Sequence, residues 1–305
     1  MTEQISHTRK QIFLADMTLV VVAAFWGAGI PISALLARSI TPLWAVVVRV
    51  VFSALFLFLF FPKKVLTASK RDWQLSTLLA LIMVGVFVTM TFGLYYSTAS
   101  KQAFIGGLNV IMVPLFIWAL YKVKPSGWVL LSAGLTTLGL LVMGFTPGME
   151  FNVGDLLSFV MAIFYALQCI GVGYCAKRVD PVRLVTLHII VLAAIMLPLA
   201  LIFEPVPRFA LFPLKIWASI LCVSLVNTTI CFIVQFKAQR VSPETHVAII
   251  LSLESFFGYV LAVLSGQDPF HLQGAVGGLL VLAGMMLTEA EGLFGKSREE
   301  GCSSD

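Results

Sequence analysis

Charge is scarce in this sequence. Only 11% of its 305 residues are Asp, Glu, Lys or Arg, against about 25% in ordinary soluble domains. Hydrophobic residues make up 59%, and the mean hydropathy is +0.99. A soluble core cannot hide that much apolar surface, so the composition excludes a water-soluble globular fold and points to a polytopic membrane protein. Cysteine is also thin: five residues, none in a CxxC or a Cys/His set. Cys169, Cys175, Cys222 and Cys231 lie in apolar segments and Cys302 in the tail, which reads as apolar filler and not as a disulfide scaffold or metal centre.

Catalytic and nucleotide motifs are missing as well. There is no HExxH, no GxSxG and no paired-aspartate motif. Gly295-Lys296-Ser297 ends like a Walker A loop, but Ala290 stands where its first glycine belongs and an apolar helix precedes it in place of a strand. The sequence offers no extramembrane domain for ATP, and no cofactor or metal is expected. The net charge of +5 is scattered between apolar runs and forms no nucleic-acid patch.

What is present is a series of long apolar runs. Ten segments are expected, at roughly 13–37, 43–61, 75–95, 102–121, 126–145, 155–176, 184–203, 214–236, 246–265 and 272–290. A cleaved signal peptide competes for the first, but Asp16, Pro31 and the length of the run favour a membrane helix. Fifteen Lys and Arg fall on the side of the N-terminus, and four, Arg38, Lys101, Arg208 and Lys215, on the other. Both termini are therefore expected in the cytoplasm. Trp44, Trp73, Trp128 and Trp217 near segment ends read as interfacial anchors.

The two halves repeat. A shift of 139 lays Asp16 on Asp155 and Trp26 on Tyr165, a shift of 144 lays Trp73 on Trp217, and a shift of 141 lays the fourth helix on the ninth. Five helices per half, an odd number, run the copies in opposite directions. In transporters such inverted repeats enclose a substrate site near the midplane. The expected organisation is a cytoplasmic segment at 1–12, repeats at 13–145 and 154–290, and a cytoplasmic tail at 291–305.

Phe25-Trp26-Gly27, the stretch Ser97–Phe116, the stretch Phe151–Gln168, the run from Phe236 to Glu254 and the ending LVLAGMMLTEA together resemble the drug/metabolite transporter superfamily, specifically its EamA-type members. The resemblance covers about residues 13 to 290. It implies an all-α membrane fold of ten helices in two inverted five-helix repeats. It also implies movement of small metabolites across the inner or plasma membrane, often outward. Two positions depart from the family pattern: Ser255 replaces a proline after Leu253-Glu254, and Gln267 replaces a glutamate after Gly266. Since the fourth helix keeps Pro114, the expected hinge, only one half carries a proline-weakened ladder.

Polar groups at depth supply the candidate site. Glu254 sits near the middle of an apolar run, where inserting a carboxyl costs roughly 3 kcal/mol, so it is expected to face a cavity or a partner. Trp26, Asn109, Gln168 and Asn227 fall at a similar depth, and Tyr165 is one turn from Gln168. Thr228 and Thr229 add hydroxyls beside Asn227. These either line a substrate cavity or bond across helix interfaces. Arg49 either pairs with Glu254 or meets carbonyls. Lys101 either draws in anions or is a solvated interface lysine. His188 and His246 are candidate proton relays or structural histidines bonding a carbonyl. Gly274 and Gly278 form a GxxxG in the last helix, which suits a homodimer face or packing inside the monomer. The expected function is non-ATP export of amino acids or related metabolites by alternating access. A nucleotide-sugar or organic-anion exchanger is the alternative, followed by an intramembrane enzyme or receptor-like protein.

Overall fold

A computed structural model describes residues 8–37, 39–144, 151–266 and 269–294. Residues 1–7, Arg38, Gln267 and the tail from 295, with Lys296 and Cys302, lie outside them. The helices are α1 (Arg9–Ala37), α2 (Pro42–Phe60), α3 (Lys70–Tyr96), α4 in two pieces (Ala99–Gly106 and Asn109–Tyr121) and α5 (Gly127–Gly144). They continue with α6 (Val153–Ala176), α7 (Pro181–Phe203), α8 (Leu214–Gln239), α9 in two pieces (Glu244–Leu251 and Leu253–Leu264) and α10 (Leu272–Phe294). Nine of these are long and apolar enough to cross a membrane among the described residues. The apolar piece of α4 is shorter because the helix is interrupted.

Local chemistry fixes many of the starts. Ser69 with Asp72 and Asn152 with Asp155 form capping boxes, which satisfy otherwise orphaned N–H groups at α3 and α6. Pro42 and Pro181 begin α2 and α7, where the missing N–H is harmless. Asp180 caps α7 and pairs with Lys64 at 2.9 Å. Burial pushes the Asp180 carboxyl up, but hydrogen bonds from Lys64 and the Arg183 N–H outweigh it and hold the group below its ordinary value.

The repeats interleave around a pseudo-two-fold axis, and the packing pairs obey it. Helix α1 packs on α9 and α6 on α4; α3 packs on α6 and α8 on α1. The self-related pairs are α2 with α7 and α5 with α10. Between α5 and α10, Gly139 and Gly277 allow the closest approach: a Cβ on Gly139 would stand 2.6 Å from the Gly277 carbonyl. Large apolar side chains such as Leu59, Leu78, Phe203 and Leu279 cover the outside, a surface suited to lipid and not to water.

Two expectations change, at Trp44 and in α9, and one open choice, at the GxxxG, is decided. Trp44 is not a lipid-facing anchor: it is 5% exposed and packs edge-on against Phe209 at 5.7 Å, while Trp217 joins the same aromatic cluster. Gly274 and Gly278 face Tyr259 and Phe256 of α9, so the GxxxG surface is taken inside the monomer. Helix α9 breaks at Ser252 although no proline follows Glu254.

Candidate substrate site and flanking ion clusters

Trp26 and Asn227 meet, but they use their polar atoms on each other's helices. Trp26 Nε1 donates to the Asn227 carbonyl at 2.7 Å, and Asn227 Nδ2 donates to the Phe25 carbonyl at 2.8 Å. Gly29 makes this staple fit, since any Cβ there would overlap the Asn227 amide. Residues Val223–Ile230 of α8 form π-helical turns, whose widened ladder tilts carbonyls off the axis. Thr228 and Thr229 return their hydroxyls to the carbonyls of Val223 and Ser224, five residues back, and both are buried.

A second group gathers at the same depth. Arg49 of α2, Tyr165 of α6, Cys231 of α8 and Glu254 of α9 lie within electrostatic reach of one another. Arg49, Tyr165 and Glu254 are each half-buried. The Arg49 guanidinium stands 5.8 Å from the centre of the Phe87 ring, and its buried Nε has no hydrogen-bond partner. Among the described residues, no ion pair joins Arg49 to Glu254. Arg49 and Glu254 thus lie within electrostatic reach of each other without closing into a pair.

The remaining candidates scatter. Gln168 is buried with Oε1 unpartnered. Asn109 opens the second piece of α4, half-buried. Pro114 is inside that piece, whereas the interruption falls at Gly107–Leu108, where backbone bonds run from i to i−3. His188 is fully buried, with neither ring nitrogen partnered, 5.7 Å from the Phe236 ring; it bonds no carbonyl.

Lys101 is neither solvated nor free for anions. Its Nζ is 2.8 Å from Asp155 Oδ2, Ser97 donates to Asp155 Oδ1 at 2.6 Å, and both charged side chains are nearly buried. The mirror arrangement stands at the other end of the bundle. There the Ser242 hydroxyl donates to Asp16 Oδ1, and His246 Nδ1 is 3.2 Å from Asp16 Oδ2. Glu289 of α10 comes close to the same pair, with its buried Oε1 left without a hydrogen-bond partner. The ligating atoms of Asp16, His246 and Glu289 lie within 4.8 Å of one another. Sequence reasoning missed Asp16 and Glu289 as partners of His246, although the alignment of Asp16 with Asp155 was the available signal.

With this geometry in view, comparison with known proteins is decisive at the level of family. The EamA-like transporter family matches twice, over residues 13–145 and 152–289. The chain belongs to the EamA-like transporter family. This EamA protein is a multi-pass membrane transporter of the drug/metabolite type. It is 24% identical over 256 residues to an uncharacterized transporter of Archaeoglobus fulgidus, covering 82% of this chain and 77% of that one. It is 24% identical over 249 residues to the uncharacterized transporter YoaV of Bacillus subtilis, covering 76% and 81%. One solved crystal structure superposes with a TM-score of 0.77 at 13% identity, covering 95% of this chain and all of its own.

Proposed function

We propose that this EamA protein exports amino acids or closely related zwitterionic metabolites by alternating access around the Arg49–Tyr165–Glu254 crevice. One observation supports the substrate class: Arg49 and Glu254 lie within electrostatic reach of each other without pairing directly. A zwitterion would set its carboxylate on the guanidinium and its ammonium on Glu254, with the Tyr165 ring as a wall. The two site charges sum to zero, so a dianionic nucleotide sugar would meet Glu254 uncompensated, which disfavours the exchanger reading. Trp26 and Asn227 shape the crevice by stapling α1 to α8, and Gln168 and Asn109 border it. The protein is placed in the inner (plasma) membrane, with both termini cytoplasmic by the Lys and Arg bias. A homodimer through α10 would use its outward face, at Val276, Leu279 and Met286, because its glycines are occupied.

The test is expression in cells challenged with a panel of amino acids, their analogues and drugs, followed by efflux of the active compound from reconstituted vesicles. Wild-type protein confers tolerance to zwitterions, and Glu254→Gln and Arg49→Met each abolish it at normal membrane levels. Undiminished tolerance in both variants would refute the site. Chemical conversion of the solute in vesicles would make the protein an enzyme.

A further inference from the structure

The two ion clusters are copies of one device. Ser97 and Ser242, and Lys101 and His246, correspond at a shift of 145, and Asp155 and Asp16 at 139. Each cluster ties the fourth helix of one repeat to the first helix of the other, α4 to α6 and α9 to α1. Inverted topology sets them at opposite membrane faces. They differ in what supplies the positive charge. Lysine carries its charge throughout the physiological range, whereas imidazole gains and loses it there.

The histidine cluster holds a further carboxylate. At the shift of 145, Glu289 corresponds to Gly144, so the lysine cluster has no equivalent. Two carboxyl groups with oxygens within 4.8 Å of each other favour a proton held in the cluster, because bare carboxylates side by side repel. The closed cluster is neutral when His246 is protonated and Asp16 and Glu289 share one proton. Without those two protons it carries two negative charges in a poorly solvated place.

We propose that Asp16, His246 and Glu289 form a proton-binding site that clamps the repeats together at the end of the bundle bearing the N-terminus. Loss of protons to water at that face leaves two carboxylates with no cation, and α1 parts from α9 and α10. As a coupling site, this rests on the transport reading. Among the described residues, no ion pair joins His246 to any group but Asp16. Glu244 is turned to Lys177 of α6 at 2.8 Å, α5 offers no titratable side chain, and the second piece of α4 offers only the exposed Tyr121. A divalent cation is the rival occupant. The lysine in the matching position argues for a single positive charge held by the protein itself.

Cys169 is a built-in reporter. It is buried, and its thiol donates to the Glu244 carbonyl at 3.4 Å, two residues from His246. The full chain, with Cys175, Cys222 and Cys231 changed to Ala and Cys302 to Ser, is placed in lipid nanodiscs and labelled with a maleimide across roughly pH 5 to 8. Dividing each rate by that of the His246→Lys variant cancels the thiol's own ionisation. The expected ratio is near unity in acid and rises about tenfold in base, the population shift that follows loss of one charge-assisted hydrogen bond. His246→Gln gives a high ratio at every pH. If His246→Lys fails to fold, the ratio of wild type to His246→Gln reads the same transition.

A flat wild-type ratio, or a His246→Gln profile as pH-dependent as wild type, overturns the site. Slowing of labelling by Mn²⁺ or Zn²⁺ that a chelator reverses overturns it in favour of a metal. Labelling needs no substrate, and transport is measured in the chain with its native cysteines. A flat ratio where that chain moves solute refutes the clamp alone, and a pH-dependent ratio where it moves nothing upholds the clamp and refutes the transport reading.

Discussion

Removing the Lys101 charge tests how strongly the permanent clamp holds the repeats. The side chains of Lys101 and Asp155 are 11% and 1% exposed and 2.8 Å apart. Asp155 also accepts from Ser97 and from the Asn152 N–H, so its desolvation is only partly compensated without the lysine. Breaking a buried pair by removing one partner costs about 3–5 kcal/mol, because an uncompensated charge stays behind. At roughly 2 °C per kcal/mol for a chain of this size, Lys101→Met lowers the Tm in detergent by about 6–10 °C. Asp155→Asn has a similar effect, since it strands the lysine. The double variant loses the pair and the stranded charge together, so it regains much of the loss. Thermal melts of the four proteins, followed by size-exclusion chromatography, provide the cycle. Strictly additive single effects would refute the claim that these residues form one closed, poorly solvated pair.

Two smaller predictions concern helix ends and helix crossings. Glu204 at the end of α7 accepts the N–H groups of Leu43 and Trp44 at 3.2 Å each, capping α2 from outside its own chain segment. Glu204→Ala should therefore lower stability by about 1–2 kcal/mol, with Glu204→Gln milder, and equal melts for wild type and Glu204→Ala would remove the cap. Gly277→Val forces side-chain carbon against the Gly139 carbonyl and Met143, at about 1–3 kcal/mol. Unaltered melting of that variant would mean that α5 and α10 do not pack as described.

Much of the architecture was legible because lipid enforces it. A helix must offer some twenty apolar residues to cross, so the ten runs announced themselves, and the repeat showed in the spacing of Asp16 and Asp155. Glu254 stands out in the sequence for the same reason: a carboxyl in mid-run has no cheap alternative to a polar interior. What stayed hidden depends on partners far along the chain. Asp16 and His246 are 230 residues apart, and nothing local to either says that they touch. Glu289 sits at the fading end of an apolar run, where it looks like the start of a polar tail. Trp44 lies near a helix end by position, but only the fold decides whether that end faces lipid or the neighbouring helix.

The interruptions in α4 and α9 tie these observations together. Proline was the expected cause, yet only α4 has one, and its break precedes Pro114 by a turn and a half or more. In α9 the break comes at Ser252, whose hydroxyl bonds the Ile249 carbonyl while the Ser255 N–H reaches back only three residues. The shared feature is the placement. Both first pieces, Ala99–Gly106 and Glu244–Leu251, are eight residues long, and each carries a clamp residue in its first turn. A helix of that length is marginal by itself and depends on what it is fastened to. Each clamp thus fastens a short piece set off from the remainder of its helix, and in α9 that piece is also held by Val247–Ile250, which are buried in the core. The same break puts Glu254 one residue into the second piece of α9, so the clamp residue His246 and Glu254 lie on the two sides of a single joint.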